Sequence, residues 1–262
     1  MNFEQQSYEI NDLWIDEIVS EADIERVKVS ADLIPPDVKS ILDVGCGGGI
    51  FVNYLLSSGR HYDRLCGIDR SNSALQHVKT EKKLAEVNQL PFQNNEFHMV
   101  TCLEVLEHLS LNIYSSSLNE LSRIAKKYIL ISVPNHENLK KSLVNCPSCC
   151  TKFNPDYHMR SYDCRTVKRL FDERGFQCIN LRNVCEFYSY RFAQIVNFFT
   201  RFSSMSSPWY AICPVCGYRG NLLLDEARDN VAPKQNIFKK SVKKIWPKTV
   251  NYRWILALYK RQ

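Results

Sequence analysis

Short unbroken apolar runs alternate along this chain with stretches in which apolar residues recur every three or four positions. The runs Ile41-Leu42 with Val44, Leu65 to Ile68, Phe97 to Cys102 and above all Tyr128 to Val133 read as strands buried on both faces. Between them the spacing predicts helices over 50–58, 71–80 and 115–126. Another begins at Asp163, carries Val167, Leu170 and Phe171, and closes at Gly175, the residue type expected just past a helix end. Further strands are expected at 84–87 and 176–184. Strand and helix in alternation, with continuously apolar strands, predict an α/β protein with a doubly wound, mostly parallel sheet. Ligands of such sheets bind at the carboxyl ends of the strands, where Gly45, Asp69 and Leu103 all fall.

Outside this rhythm the pattern changes. Residues 10–33 carry Ile10, Leu13, Trp14, Ile18, Ile24, Val27 and Leu33 at near-helical spacing, which predicts one or two leading helices ended by Pro35-Pro36. After Pro134 regularity lapses for about 27 residues, long enough to expect a functional or separately stabilised insertion. Residues 190–202 are aromatic and amphipathic, and Ser203 to Pro208 reads as a linker.

Composition adds two constraints. With 262 residues, 45% of them apolar, the chain can bury one sizeable core plus an attachment. It has no apolar run of the roughly 18 residues that span a bilayer, and Met1-Asn2-Phe3-Glu4 is unlike a signal peptide, so a cytoplasmic protein is expected. The net charge of +6 belongs to the end of the chain: Val231 to Gln262 holds nine Lys or Arg and no acid. Eleven cysteines in such a setting argue for reduced thiols or metal ligands rather than a disulfide framework.

The chemistry begins at Asp43-Val44-Gly45-Cys46-Gly47-Gly48-Gly49, where a strand runs into a glycine turn. Glycine permits the tight backbone and close approach of a nucleotide-like ligand, and the helix from Ile50 presents its free N–H groups. Ile50 stands where a dinucleotide motif would have its third glycine. At the end of the next strand, Asp69 is placed to accept the two hydroxyls of a ribose.

These features, with Gln89-Leu90-Pro91-Phe92, Glu96-Phe97 and Thr101-Cys102-Leu103-Glu104-Val105-Leu106-Glu107-His108-Leu109, resemble the class I S-adenosylmethionine-dependent methyltransferases, particularly the ubiquinone-pathway O-methyltransferases. The resemblance covers roughly residues 38–180 and implies a Rossmann-like domain over 38–205. It places Asp43, Gly45, Cys46 and Gly47 under the methionine part of S-adenosylmethionine and Asp69 on its ribose. Arg70 and Leu103 then lie beside the cofactor, with Val87 and Asn88 flanking adenine. The chain departs from the family at His98 and at Glu86, where aspartates are usual.

Cys146-Pro147-Ser148-Cys149 and Cys213-Pro214-Val215-Cys216-Gly217 are near-copies of one turn, with 63 residues between them. Two C-x-x-C turns make the tetrahedral thiolate set that suits structural Zn²⁺, with a redox pair or two unlinked turns as the alternatives. A small zinc-knuckle insertion, 135–162, is therefore expected, with the second knuckle, 206–224, packing on 143–152. Cys150 stands where many knuckles have glycine and competes with Cys149 as a ligand.

Glu104, Glu107 and His108 follow the fourth strand at spacings of three and four, which predicts one face of a helical turn. Their resemblance to small-RNA 2′-O-methyltransferases, and in part to the ubiquinone-pathway enzymes, implies a Mg²⁺ or Mn²⁺ site completed by His158. The bland alternative is structural glutamates with a histidine beside the acceptor. In the tail, 225–262, Phe238, Val242, Ile245 and Trp246 are interleaved with Lys239, Lys240, Lys243 and Lys244. Val250, Trp254, Ile255 and Leu258 continue what reads as a basic amphipathic helix for an anionic membrane surface, with nucleic-acid phosphate the lesser partner; docking of its apolar side on the domain, with the lysines in solvent, is the alternative.

The reading is a methyltransferase acting on a hydroxyl of a glycan, lipid-linked sugar or small molecule. His108, His158 and Glu107 are its candidate catalytic residues. RNA 2′-O-methylation and a non-catalytic cofactor-binding scaffold are the alternatives.

Overall fold

In a computed structural model, the described residues are Gln6, Tyr8, Glu9, 20–190, 211–219 and 248–262. Helix α1 (Glu21–Asp32) starts at a reciprocal cap: the Asp23 amide donates to the Ser20 hydroxyl and the Ser20 amide to the Asp23 carboxylate, both at 3.2 Å. Then come β1 (Ser40–Val44), α2 (Ile50–Ser57), β2 (Arg64–Asp69), α3 (Asn72–Leu75), β3 (Glu81–Leu84), β4 (Phe97–Leu103), α4 (Leu111–Ile124) and β5 (Ala125–Pro134). A two-strand hairpin, β6 (Val144–Asn145) and β7 (Lys152–Phe153), precedes α5 (Cys164–Lys168), β8 (Phe176–Tyr190) and β9 (Lys248–Arg261).

Seven strands form one sheet in the order β3-β2-β1-β4-β5-β9-β8. The first five pair in parallel, and β9 is antiparallel to both its neighbours. The doubly wound, mostly parallel expectation is met. Alternate residues feed cores on opposite faces: Ile129, Ile131 and Val133 of β5 join Ile255, Ala257 and Tyr259 of β9 on one side, while Tyr128 and Leu130 join Leu256 and Leu258 on the other. Such strands read as unbroken apolar runs because neither face meets water.

The tail expectation is overturned over 248–261. Trp254 to Tyr259 is six consecutive apolar residues, and the spacing of Val250, Trp254, Ile255 and Leu258 that suggested a helix is incidental within it. The run lies between β5 and β8, with Leu130 paired to Leu258 and Ile131 to Ala257. The methyltransferase-like domain therefore does not end at 205; its sixth sheet position comes from the last residues of the chain. The rest of the proposed tail helix, Phe238 to Trp246, lies outside the described residues, as do 10–19 and the stretches 190–202 (beyond Tyr190) and 203–208. Among the described residues, no helix is long and apolar enough to cross a membrane.

Two smaller corrections place the site. The helix expected at 71–80 is only Asn72–Leu75, and β3 is at 81–84 rather than 84–87. A charged Glu81-Lys82-Lys83 edge is what an outermost strand tolerates, since half its surface faces solvent. Its register, with Asp69 opposite Leu84, leaves Ala85 to Val87 just past the carboxyl end, beside the turn after β1. Helix α4 also begins earlier than expected, at Leu111 after Ser110.

Leu256 is fully buried between β5 and β8, so Leu256→Ala is expected to lower unfolding free energy by about 2–5 kcal/mol, measured by denaturant titration. Removing 248–262 strips β5 and β8 of their shared partner. That truncation is expected to abolish cooperative unfolding, where a peripheral tail would leave it unchanged.

Candidate active site

The sheet diverges at β1: the chain leaves it toward β2 and β3 on one side and toward β4 and β5 on the other. At that switch the carboxyl ends open on a cavity of 490 Å³. Its floor is the turn after β1. The amides of Gly45 and Cys46 both donate to the carbonyl of Ile68, at 2.8 and 2.9 Å, so the turn is tied to the end of β2. Gly45 has φ +71°, and a Cβ there would meet Val105 Cγ2 at 2.4 Å. A side chain would be both strained and obstructed, which is the physical content of the glycine read from the sequence.

Asp69 stands at the rim with its carboxylate held: Oδ2 accepts from the Gly47 amide at 2.9 Å and Oδ1 from the Ser71 amide at 2.8 Å. Each oxygen keeps a second lone pair, which suits a vicinal diol. Burial raises its pKa, and the two amides counter that rise. Asp43, deeper in the floor, accepts from the Thr101 hydroxyl at 2.6 Å, and burial pushes its pKa up to about 6.

Asp43, Gly45, Cys46, Gly47, Asp69, Arg70, Val87 and Leu103 all line the cavity, as does Glu86. Asn88, in the turn that follows, does not. His98 belongs elsewhere: its amide and Nδ1 both meet the Ser40 hydroxyl, at 2.9 and 3.0 Å, at the opposite end of the sheet. That substitution ties β4 to β1 and leaves the cavity untouched.

The Glu104-to-His108 block departs from the expected helical face. Glu104 has φ +57°, and only Leu106–His108 form a short 3₁₀ turn, so the three side chains are not stacked at helical spacing. Glu104 accepts from the Ser132 hydroxyl at 2.7 Å. Ligand atoms of Glu107, His108 and His158 lie within 4.8 Å of one another; Glu104 is not of the group. The two imidazoles are 4.7 Å apart in an edge-on arrangement. His158 reaches His108 because its segment is laid along the turn, with the Met159 amide donating to the Glu107 carbonyl at 2.8 Å.

Burial, reinforced by the neighbouring His158 and Arg70, lowers the His108 pKa to about 3, so this ring is neutral throughout the physiological range. Glu107 is fully buried and neither carboxyl oxygen has a hydrogen-bond partner among the described residues; burial first, and the neighbouring Glu104 second, raise its pKa well above the carboxylate range. His158 Nδ1 is bonded to the Glu137 carboxylate, which fixes the ring and leaves Nε2 as its other polar atom.

Glu137, Tyr8 and Arg26 were not legible as site residues. Tyr8 places its hydroxyl 3.3 Å from His108 Nδ1 and its ring beneath the Arg70 guanidinium, 4.6 Å away. Arg26, on α1, lines the cavity and stacks on Trp254 at 5.0 Å; its charge lowers the pKa of Asp43, Glu104 and Glu107. The one available signal was for Glu137, an acid directly after the strand that borders β4.

The two C-x-x-C turns do meet. The four thiols of Cys146, Cys149, Cys213 and Cys216 lie within 4.8 Å of one another, and the Cys146–Cys216 and Cys149–Cys213 pairs are each 3.6 Å apart. Cys150 is excluded from the set and has φ +59°, matching Gly217 at +70° in the partner turn. It occupies the glycine position conformationally rather than acting as a ligand.

A family model described as a methyltransferase domain matches residues 21–181. An uncharacterized protein of Methanocaldococcus jannaschii is 36% identical over 110 residues, 40% of this chain and 45% of that protein. The ubiquinone biosynthesis O-methyltransferase of Aromatoleum aromaticum is 37% identical over 81 residues, 27% of this chain and 33% of that enzyme. The matches thus span less than half the length of these relatives. A putative methyltransferase of Bacillus halodurans superposes with a TM-score of 0.55 at 16% identity, over 89% of this chain and 97% of the other. Magnesium protoporphyrin IX methyltransferase of Synechocystis, solved with bound SAH, gives 0.51 at 15% identity over 69% and 91%. At such identities these two establish the fold.

Asp43 generates a pH prediction. Its folded pKa of about 6 lies above the roughly 3.9 of an unfolded chain, so the native state is favoured below pH 4 and loses that advantage as pH rises through 6. In ligand-free protein, Asp43→Asn is expected to remove a loss on the order of 3 kcal/mol between pH 4 and 7. Unfolding titrations of both proteins at the two pH values check this; a difference that does not change with pH would mean Asp43 titrates normally.

Proposed function

Because the chain belongs to the methyltransferase-domain family, we propose that it transfers the methyl group of S-adenosylmethionine to a hydroxyl oxygen of a small-molecule or glycan acceptor. The cavity fits the cofactor on two counts. The Gly45 cradle has no room for a Cβ, and the Asp69 carboxylate is already oriented by two amides with lone pairs to spare. In this reading the Gly45-to-Gly48 backbone lies under the methionine portion, Asp69 accepts from the ribose hydroxyls, and Val87 packs on adenine. When bound, the cofactor supplies a methyl group activated by its sulfonium.

The observation that carries hydroxyl chemistry is His108 at the cavity wall, with His158, bonded to Glu137, edge-on against its ring. An alcohol needs its proton removed as its oxygen attacks. His158, anchored through Nδ1 by Glu137, has Nε2 to receive that proton, and the carboxylate stabilises the imidazolium that results. His108, with its pKa near 3, is too weak a base at neutral pH and is better suited to orienting the acceptor with Tyr8. Leu103, Val105 and Leu109 make the surrounding wall apolar and exclude water. Relatives named as ubiquinone biosynthesis O-methyltransferases support oxygen as the acceptor atom.

One observation favours a second version of the same reaction. The partnerless, buried carboxyl of Glu107, beside His108 and His158, is what a Mg²⁺ or Mn²⁺ ion would satisfy. Such an ion would bind the acceptor oxygen and lower its pKa, favouring acceptors with two adjacent oxygens.

Two measurements follow. Asp69→Ala is expected to weaken S-adenosylmethionine binding by about 1.5–3 kcal/mol in calorimetric titration, the range for hydrogen bonds to a charged group. Unchanged affinity in a folded variant would remove Asp69 from the ribose. Once an acceptor has been found by a labelled-methyl screen, His158→Ala is expected to lower kcat by about 10²–10⁴-fold, the usual share of a general base. Activity lost to EDTA and restored by Mg²⁺ or Mn²⁺ alone would establish the metal version, whereas full turnover by both His158→Ala and His108→Ala would sink both.

A further inference from the structure

The cysteine cluster and the histidine pair are joined through one residue. Tyr157 immediately precedes His158, and its hydroxyl donates to the Ile212 carbonyl at 2.7 Å while accepting from the Ile212 amide at 2.9 Å. Ile212 immediately precedes Cys213. Both backbone groups of one residue in the second knuckle are therefore satisfied by the tyrosine that carries His158. On its other side, the same segment is tied to the 3₁₀ turn by the Met159 amide and by Arg160, which donates to the Leu109 carbonyl.

Among the described residues, the knuckles have little else to hold them together. Val144, Cys146, Phe153, Ala211 and Cys213 form a small core separate from those of the sheet, with Tyr157 and Tyr218 packed against it. A core of that size does not stabilise two segments so far apart in sequence, and small units of this kind rely on a metal or disulfides. Disulfides are not formed: the paired sulfurs are 3.6 Å apart, against about 2.05 Å for a bond. A tetrahedron with Zn–S of about 2.3 Å has S···S edges of about 3.8 Å, close to the separation found. The turns are also built alike. The Cys150 amide donates to the Cys146 carbonyl at 2.9 Å and the Gly217 amide to the Cys213 carbonyl at 3.0 Å; the Cys146 and Cys213 amides close the turns on Thr151 and Tyr218, each at 2.8 Å.

We propose that Cys146, Cys149, Cys213 and Cys216 bind one zinc ion, and that this clamp fixes the acceptor side of the active site by locking Tyr157 onto Ile212 and so holding His158 against His108. The metal is closed to substrate by four thiolates and takes no part in the reaction. The cofactor side, built on β1 and β2, makes no use of the clamp. That His158 serves the acceptor rests on the methyl-transfer reading; the clamp and its mechanical effect do not.

The test uses full-length protein prepared without an affinity tag. Elemental analysis is expected to find one zinc per chain, lost in Cys216→Ser. Removing zinc with a strong chelator is expected to speed amide exchange across 154–160 by about tenfold or more, with 41–50 and 64–70 unchanged and S-adenosylhomocysteine affinity held within about twofold. Tyr157→Phe is the second arm and avoids the folding problem of cysteine variants: it is expected to keep its zinc yet show the same faster exchange at 154–160. Metal-free protein with four thiols, or with Cys146–Cys216 and Cys149–Cys213 disulfides, would overturn the zinc site. Zinc present but exchange unaltered by chelation and by Tyr157→Phe would overturn the coupling. If S-adenosylhomocysteine does not bind even the intact protein, the methyl-transfer reading fails while the zinc and exchange results still decide the clamp.

Discussion

The pairing of β1 on both edges, to β2 and to β4, is the constraint on which the rest depends. Because the connections from β1 and β4 run in opposite directions, neither crosses the carboxyl ends between them, and a crevice is left there. The glycine turn then has to pass under whatever fills that crevice, within reach of Val105 on the neighbouring loop. Asp69 is delivered to the rim by the same register that pairs Val44 with Ile68.

The second feature of the site is the amount of acid it buries. Asp43, Asp69, Glu104 and Glu107 all line or adjoin one cavity, and burial raises the pKa of each. Three of them have protein donors: Thr101 for Asp43, two amides for Asp69 and Ser132 for Glu104. Arg26 supplies the compensating charge from α1, held in place by Trp254 of β9. Among the described residues, Glu107 alone of the four has no donor, and unsatisfied buried groups of this kind concentrate at functional positions. The electrostatics thus single out the proposed acceptor wall, where the two histidines also meet.

The proposed acceptor wall is assembled from distant parts of the chain. His108 follows β4, Glu137 follows β5, His158 sits in the insertion, Tyr8 comes from the leading segment and Arg26 from α1. Three of them are secured by local bonds: Glu137 to His158, His158 also through its neighbour Tyr157 to Ile212, and the Tyr8 carbonyl to the Ser71 hydroxyl at 2.8 Å. In the proposed reading, a cofactor site on rigid strand ends and an acceptor site on several loops is an arrangement in which the second can vary while the first stays fixed.

What the sequence by itself determined was whatever depends on neighbours along the chain. The parallel strands, the turn from Gly45 to Gly49, Asp69 at a strand end and the two C-x-x-C turns are local patterns, in which residue type and spacing carry the physics. Tertiary structure alone decided three things. It made 248–261 a central strand, because an apolar run fits a helix or a strand until a sheet offers it two partners. It turned Glu104 toward Ser132 and left Glu107 with the histidines, because a positive φ at Glu104 broke the helical spacing. It also brought Glu137 to His158, since a bond between loops 21 residues apart has no periodicity to announce it.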